Sequence, residues 1–141
     1  DYPAVRVSWF DAYTYATFRG KRLPSGSEWK RAIGRHRYPW GDDLLNDAAN
    51  TKELGKKRLS KTDEFLKDQS EYGVRHLAGN AAEWLGDAGR TDLDRQVAVG
   101  SYVTKLYKRV PSFAAAPRTT AVPGIGFRCA SDALPAVDAQ Q

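Results

Sequence analysis

A long segment without periodicity is the feature that most constrains the fold. Residues 44–76 are mostly polar and show neither the helical nor the strand spacing of apolar residues. A segment of that length in a compact domain is typical of irregular structure that wraps around a core. Because loops lack the hydrogen-bond ladders of helices and sheets, their backbone groups need side-chain caps, aromatic anchors or bound ions. The sequence therefore predicts an α+β domain that is rich in loops.

The composition is that of a folded chain with a single core. Of the 141 residues, 41% are hydrophobic and 11% aromatic, and four are Trp, which we interpret as core anchors. No apolar run approaches the ~20 residues that span a bilayer, so no transmembrane segment is expected. The net charge of +5 is spread along the chain, and only residues 56–58 form a tight basic cluster. This distribution favours a solvated basic surface over nucleic-acid binding.

Two short helices are predicted near the start of the chain. Each begins with a serine that is followed three residues later by an acidic residue, and each ends at a glycine. These signals place the helices at about 9–19 and 26–33. The serine, acidic residue and glycine are Ser8, Asp11 and Gly20 in the first helix and Ser25, Glu28 and Gly34 in the second.

Strands are expected to be few and short. The segments 97–103 and 127–130 each have the composition of one strand, and Pro111, Pro117 and Pro123 break up the region between them. The chain from Asp132 onward is small, polar and contains proline. The domain is therefore expected to span 1–131, with a flexible tail over 132–141.

Six short motifs, taken in order and spacing, carry a family resemblance. They are VRVSWFDA at 5–12, GKRLPSGSEW at 20–29, YPWG at 38–41, YGV at 72–74, GNAAEW at 79–84 and GFRCA at 126–130. Over about residues 3–132 the chain closely resembles the formylglycine-generating enzymes, also called sulfatase-modifying factors. The resemblance implies an irregular, loop-rich variant of the C-type lectin fold. It also implies a preceding N-terminal portion with a strand and a helix, which nothing here matches, so we expect a partial domain.

The catalytic cysteines that the resemblance would require are missing. Active members of the family bind copper through two cysteines, five positions apart, that follow a Gly-Ser-Tyr segment. That segment lies here at 100–102, and the matching positions hold Thr104 and Arg109. Neither a hydroxyl nor a guanidinium replaces a thiolate towards Cu(I), so no copper is expected. Cys129 is the chain's only cysteine, which allows no internal disulfide, and the resemblance implies a structural role for it.

The resemblance also implies two calcium sites. Their donors would be Gly79, Ala81 and Glu83 in one site, and Asn50, Thr51 and a further Asp that the motifs do not identify in the other. In the first site His76 replaces the usual Asn or Asp, and a histidine nitrogen is a poor donor for calcium. In the alternative interpretation, which we favour, Glu83 caps backbone amides of its loop. Its charge would then be held by hydrogen bonds or by Arg128.

A non-catalytic binding or structural module is our leading hypothesis. The segment 100–123 is rich in Tyr and Arg, which are enriched at interface hot spots. The candidate contact residues are Tyr102, Thr104, Lys105, Tyr107, Lys108, Arg109, Phe113 and Arg118. They would bind a protein partner or another surface ligand, and the resemblance favours the periplasm or cell surface as the compartment. The two rival hypotheses are a divergent oxidase of the same family and a scaffold subunit of a large bacterial assembly.

Overall fold

A computed structural model describes residues 1–106 and 110–132 and shows an α+β fold. Its elements are the helices α1 (Trp9–Phe18) and α2 (Gly26–Ile33) and the strands β1 (Ala82–Ala88), β2 (Asp94–Val99), β3 (Ser112–Pro117) and β4 (Ile125–Gly126). The strands form one four-stranded sheet in the order β3-β2-β1-β4. Strand β2 runs antiparallel to both β1 and β3, and β4 runs parallel to β1. No helix or extended strand interrupts residues 34–81, which confirms the loop-rich prediction.

The helix predictions are confirmed together with their capping signals. In both helices the serine accepts a hydrogen bond from the backbone of the acidic residue, and the acidic side chain accepts one from the serine backbone. Helix α1 ends at Phe18, one residue before the predicted end. Gly20 and Gly34 follow the two helices with φ of 65° and 93°, a backbone region that glycine enters without steric cost.

The strand predictions are only partly right. Strand β2 covers 94–99, so the prediction of 97–103 is wrong beyond its first residues, where the chain turns instead. The prediction of 127–130 is also displaced, because the paired residues are Ile125–Gly126 and Ala130 makes only an isolated bridge to Arg22. Strands β1 and β3 were not predicted. Strand β3 forms within the proline-rich region because its interior, 113–116, contains no proline.

The sheet separates two hydrophobic clusters. Neighbours along a strand point to opposite faces of a sheet, and accordingly Trp84 and Val97 belong to one cluster while Leu85 and Ala98 belong to the other. The first cluster packs under α1 and also contains Trp9, Ala12 and Ala16. The second packs under α2 and also contains Trp29, Ile33, Leu77 and Val110. Three of the four Trp side chains are thus core anchors, whereas Trp40 is only partly buried and stacks on Tyr38.

The predicted tail begins with an ordered contact. Asp132 accepts a hydrogen bond from Arg22 Nη2 at 3.0 Å, and residues 133–141 lie outside the described part of the chain. Within the described residues, neither helix has the length and apolar character that crossing a membrane requires.

Candidate functional site

A buried carboxylate holds the turn that precedes the GNAAEW motif. Asp68 is fully buried and accepts hydrogen bonds from the backbone amides of Leu77, Ala78 and Gly79 at 3.1–3.2 Å. Burial raises the pKa of Asp68 to about 7, and the three amide donors partly oppose this rise by favouring the ionised form. At Gly79 a Cβ would lie 2.7 Å from the backbone oxygen of Asn50, so the turn packs too closely for any side chain there.

Glu83 has a different role from the one that the sequence interpretation gave it. Its carboxylate accepts hydrogen bonds from the indole Nε1 of Trp29 at 3.0 Å and from Nε and Nη2 of Arg128, both at 2.6 Å. The expectation that Arg128 holds the charge of Glu83 is confirmed. The expectation that Glu83 caps the loop amides is wrong, because Asp68 is the residue that does so. Asp68 lies in the aperiodic segment 44–76, where no motif marks it.

Arg128 links the GFRC segment to the loop on several sides. Besides Glu83, its Nη2 contacts the carbonyl oxygens of Arg75 at 3.0 Å and of His76 at 3.3 Å. The Glu83 side chain is 8% exposed and that of Arg128 is 30% exposed, so water screens the pair only in part. His76 has φ of 56°, and its buried Nδ1 has no hydrogen-bond partner among the described residues.

Thr104 closes a tight turn that follows strand β2. Its Oγ1 accepts a hydrogen bond from the backbone amide of Ser101 at 2.8 Å and lies 3.2 Å from the Ser101 hydroxyl. Its carbonyl oxygen accepts a hydrogen bond from the backbone amide of Lys52 at 2.9 Å. The Thr104 hydroxyl therefore fixes local backbone and is not presented to solvent as a free reactive group.

Two neighbouring cavities open beside this turn and share Val103. One is a cleft of about 590 Å³ lined by Lys52, Glu53, Lys57, Tyr102, Val103 and Lys105, which we call the lysine cleft. The other is an apolar cavity of about 320 Å³ between the sheet and residues 122–125. The turn that Thr104 holds thus forms part of the wall of both cavities.

The chain matches the family model described as "Sulfatase-modifying factor enzyme 1-like domain" over residues 1–133. It belongs to this family. Among relatives, it is 30% identical over 171 residues to "Formylglycine-generating enzyme" of Bos taurus, covering 96% of this chain and 45% of the relative. It is 32% identical over 155 residues to "Inactive C-alpha-formylglycine-generating enzyme 2" of Bos taurus, covering 94% and 51%. The chain thus spans about half the length of the curated relatives it matches.

Solved structures share the fold of this chain. The "Crystal Structure of CarF" aligns with a TM-score of 0.71 at 20% identity, over 89% of this chain and 65% of that chain. The "Structure of PvdO from Pseudomonas aeruginosa" aligns with a TM-score of 0.72 at 21% identity, over 89% and 60%. At these identities the likeness shows the fold alone. Because the relatives include both enzymes and proteins named inactive, membership in the family does not by itself decide whether this chain is catalytic.

The first calcium site suggested by the resemblance does not fit the contacts in this sulfatase-modifying-factor domain. Both carboxylate oxygens of Glu83 accept hydrogen bonds from Arg128, and a guanidinium beside them repels a divalent cation. The carbonyl of Gly79 accepts a hydrogen bond from the amide of Ala81 at 3.1 Å. Within the described residues, no group of three or more His, Cys, Asp or Glu side chains could hold a metal ion.

The second suggested site has its oxygen donors in use as well. Asn50 Oδ1 accepts a hydrogen bond from the backbone amide of Lys56 at 2.9 Å, and the Asn50 amide group donates to the carbonyl of Arg58 and to Asn80 Oδ1. The carbonyl of Thr51 accepts a hydrogen bond from the amide of Gly55 at 2.9 Å. These contacts support a structural role for Asn50 as the anchor of the loop over 50–60.

The described members of the predicted contact set make different local contacts. Tyr102 and Lys105 line the lysine cleft, whereas the Phe113 ring packs edge-on against Trp29, with ring centroids 6.5 Å apart. The Arg118 guanidinium lies 5.2 Å from the ring centroid of Phe10. The predicted contacts at 107–109, Tyr107, Lys108 and Arg109, lie outside the described residues. Sequence reasoning missed Lys52 and Lys57, which the fold brings to the cleft from the aperiodic segment.

Proposed function

We propose that this domain is a non-catalytic binding or structural module on the formylglycine-generating-enzyme scaffold. One observation carries the proposal: Thr104, at the first position that the resemblance assigns to a catalytic cysteine, uses its hydroxyl to hold the turn with Ser101. Arg109 stands at the second position, and Cys129 is the only thiol of the chain. Cys129 packs against the cluster under α1. No pair of thiolates for Cu(I) can therefore form within the chain.

The binding part of the proposal rests on the cavities beside this turn. A cleft lined by lysine side chains and Tyr102 shares the wall residue Val103 with an apolar cavity. Aromatic side chains and long basic side chains around a concave surface are suited to binding a protein segment or another ligand. The ligand would contact the 100–106 part of the predicted face, while Phe113 and Arg118 support the sheet and α1.

The catalytic alternative can be tested directly. The purified chain is incubated with Cu(I) and with a cysteine-containing peptide, and bound copper and the peptide aldehyde are measured by elemental and peptide mass spectrometry. We expect neither stoichiometric copper nor aldehyde. One copper per chain together with aldehyde formation would show a divergent oxidase and would overturn the proposal.

A variant that restores the cysteine pair provides the matched control. In Thr104→Cys/Arg109→Cys the two thiols stand at the positions that the resemblance assigns to the catalytic pair, so Cu(I) binding is expected to rise. Copper binding by this variant alone would show that the natural chain lacks the thiolates while the scaffold persists. Native mass spectrometry of the protein from its own source then separates a free binding module from a permanent subunit of a large assembly.

A further inference from the structure

The apolar cavity beside the sheet is built for an apolar occupant. Its walls carry mainly aliphatic side chains, among them Val97, Val99, Val103, Ala114, Val122 and Ile125. Within the part of the chain that the structure describes, Ser101 and Thr104 are the only polar side chains in its lining, and their hydroxyls already bond to each other. With a volume of about 320 Å³ the cavity has room for more than one aliphatic side chain. A concave apolar surface of this kind is a candidate binding site.

Strand β3 offers main-chain hydrogen bonds next to this cavity. It is an end strand of the sheet, and within residues 1–106 and 110–132 no segment pairs with its outer edge. Its sequence, SFAAAP, contains no charged residue, although natural sheet edges are commonly protected by charge. Ala114 is both an edge residue and part of the cavity lining. A strand added to β3 would therefore pass along the cavity, and every second side chain would point to its side.

The lysine cleft supplies the charge that defines the partner. Lys52, Lys57 and Lys105 line it, and Glu53 is the only carboxylate among the described residues of its lining. Among the described residues, none of the three ammonium groups lies within salt-bridge distance of a carboxylate. Because Val103 lines both the cleft and the apolar cavity, an occupant of the cavity would lie next to a positive field. Complementarity then requires acidic groups next to the apolar ones.

We infer that the apolar cavity, the edge of β3 and the lysine cleft together bind an extended acidic segment of a protein partner. Alternate aliphatic side chains of the segment enter the cavity, its backbone pairs with β3, and its Asp or Glu side chains contact the lysine cleft. The outer edge of β3, with which no described residue pairs, favours a peptide over an acyl carboxylate, because an acyl chain has no backbone groups to pair with a strand. This inference rests on the proposed function and gives that function a ligand class.

Selection from a random library tests the inference without knowledge of the partner. Decapeptides displayed on phage are selected on the full chain, and the enriched sequences are synthesised with a fluorescent label and titrated by anisotropy. We expect enrichment of aliphatic residues at alternate positions beside Asp or Glu. Enrichment of basic or unpatterned sequences, or no enrichment above background, would overturn the inference.

Three variants separate the parts of the site. Ala114→Phe fills the cavity, Ser112→Lys places a charge on β3 outside the cavity lining, and Lys52→Glu/Lys105→Glu reverses the charge of the cleft. Each should weaken binding of an enriched peptide by about tenfold or more. Ala121→Phe adds the same bulk at an exposed position outside the cavity and should bind as the natural chain does. Circular dichroism checks that each variant is folded. If all three variants bind the enriched peptide with the affinity of the natural chain, the assignment of the site is wrong.

Two further outcomes keep this inference distinct from the proposed function. If labelled dodecanoate binds in an Ala114→Phe-sensitive way and no peptide does, the occupant is an acyl carboxylate and the inference is wrong. The copper and aldehyde assays do not involve these peptides. Copper binding with aldehyde formation would therefore contradict the proposed function. A chain that forms no aldehyde and binds no acidic peptide would contradict only the inferred ligand class.

Discussion

Glu83 connects three parts of the chain that are distant in sequence. It accepts a hydrogen bond from Trp29 in α2 and forms an ion pair with Arg128, which follows β4. Glu83 itself lies in β1 and is 6% exposed. Removal of one member of a buried, hydrogen-bonded pair leaves the other member with an uncompensated charge, which costs more than the pair itself contributes. Single substitutions at this residue should therefore affect the stability of the whole fold.

The first prediction concerns Glu83→Ala. The free energy of unfolding should fall by about 3 kcal/mol, because the Trp29 indole and the Arg128 guanidinium both lose their acceptor. Urea unfolding followed by Trp fluorescence measures this change. Asp47→Ala, which removes an exposed carboxylate paired with Lys67, is the matched control and should change little. Equal stabilities of Glu83→Ala and the natural chain would contradict the role given to Glu83.

The second prediction concerns the pH dependence that Asp68 imposes. Its pKa is about 7 in the folded chain against a reference value of 3.8, so between these values the folded state binds more protons than the unfolded state. Stability from this group is thus fully present below about pH 4 and is lost as the pH rises through 7. The slope would be at most about 1.4 kcal/mol per pH unit for one proton.

A difference measurement isolates Asp68 from the other titrating groups. Burial lowers the pKa of His76, which gives a slope of opposite sign near pH 6. The free energy of unfolding is measured for the natural chain and for Asp68→Asn between pH 5 and pH 7, and one is subtracted from the other. Because His76 is present in both proteins, its contribution cancels in the difference. We expect this difference to decrease with rising pH. A flat or rising difference would show that the three amide donors outweigh burial and keep Asp68 ionised.

At the scale of elements, the cap of α2 positions the site. The Ser25 hydroxyl accepts a hydrogen bond from the amide of Glu28 at 3.1 Å, and the Glu28 carboxylate accepts one from the amide of Ser25 at 2.8 Å. One turn later α2 presents Trp29 to Glu83 and Ile33 to the core under α2. The start of this helix therefore fixes the register in which the indole meets the carboxylate.

The third prediction follows from this cap. Ser25→Ala should lower the free energy of unfolding by about 1 kcal/mol, because an amide of the first turn loses its acceptor. Ser27→Ala, two residues later on the exposed side of the same helix, is the control and should be neutral or slightly stabilising. Chemical denaturation of the two variants gives the comparison, and equal losses would argue against a capping role for Ser25.

The elements also show what the sequence could predict and what it could not. The helices were predicted because Ser, the acidic residue and Gly stand within a few residues of each other. Strand β3 is rich in alanine and has no alternating pattern, so only its residue-by-residue pairing with β2, such as Val97 with Ala114, makes it a strand. The contact of Glu83 with Arg128 was foreseen because both lie in motifs. The role of Asp68 was not predicted, because it depends on hydrogen bonds from the backbone amides of a turn about ten residues later, and no sequence motif indicates that contact.

At the scale of the whole molecule, the positively charged side chain of Arg128 connects segments that are distant in sequence. It joins the GFRC segment to β1 through Glu83 and to the loop before β1 through the carbonyls of Arg75 and His76. These contacts reinforce the junction between β1 and β4, which pair with each other over only two residues. A guanidinium is permanently charged, so this connection needs no bound ion.

The fourth prediction is that the stability of the natural chain does not depend on calcium. Its melting temperature should be the same in EDTA and in millimolar CaCl₂, because the guanidinium of Arg128 occupies the carboxylate of Glu83 and repels a divalent cation. A ligand that binds only the folded state would raise the melting temperature with its concentration. If calcium raises the melting temperature of the natural chain, the chain binds calcium as the family resemblance implies.

Arg128→Ala provides the internal control for this prediction, since it removes the guanidinium and leaves Glu83 buried and negative. Its melting temperature in EDTA should be lower than that of the natural chain, because an unpaired buried carboxylate is costly. If calcium then raises the melting temperature of this variant but not of the natural chain, the guanidinium is what excludes the ion. If calcium affects neither protein, the loop backbone lacks the geometry for the ion, and the contacts of Arg128 are stabilising without being a substitute for it.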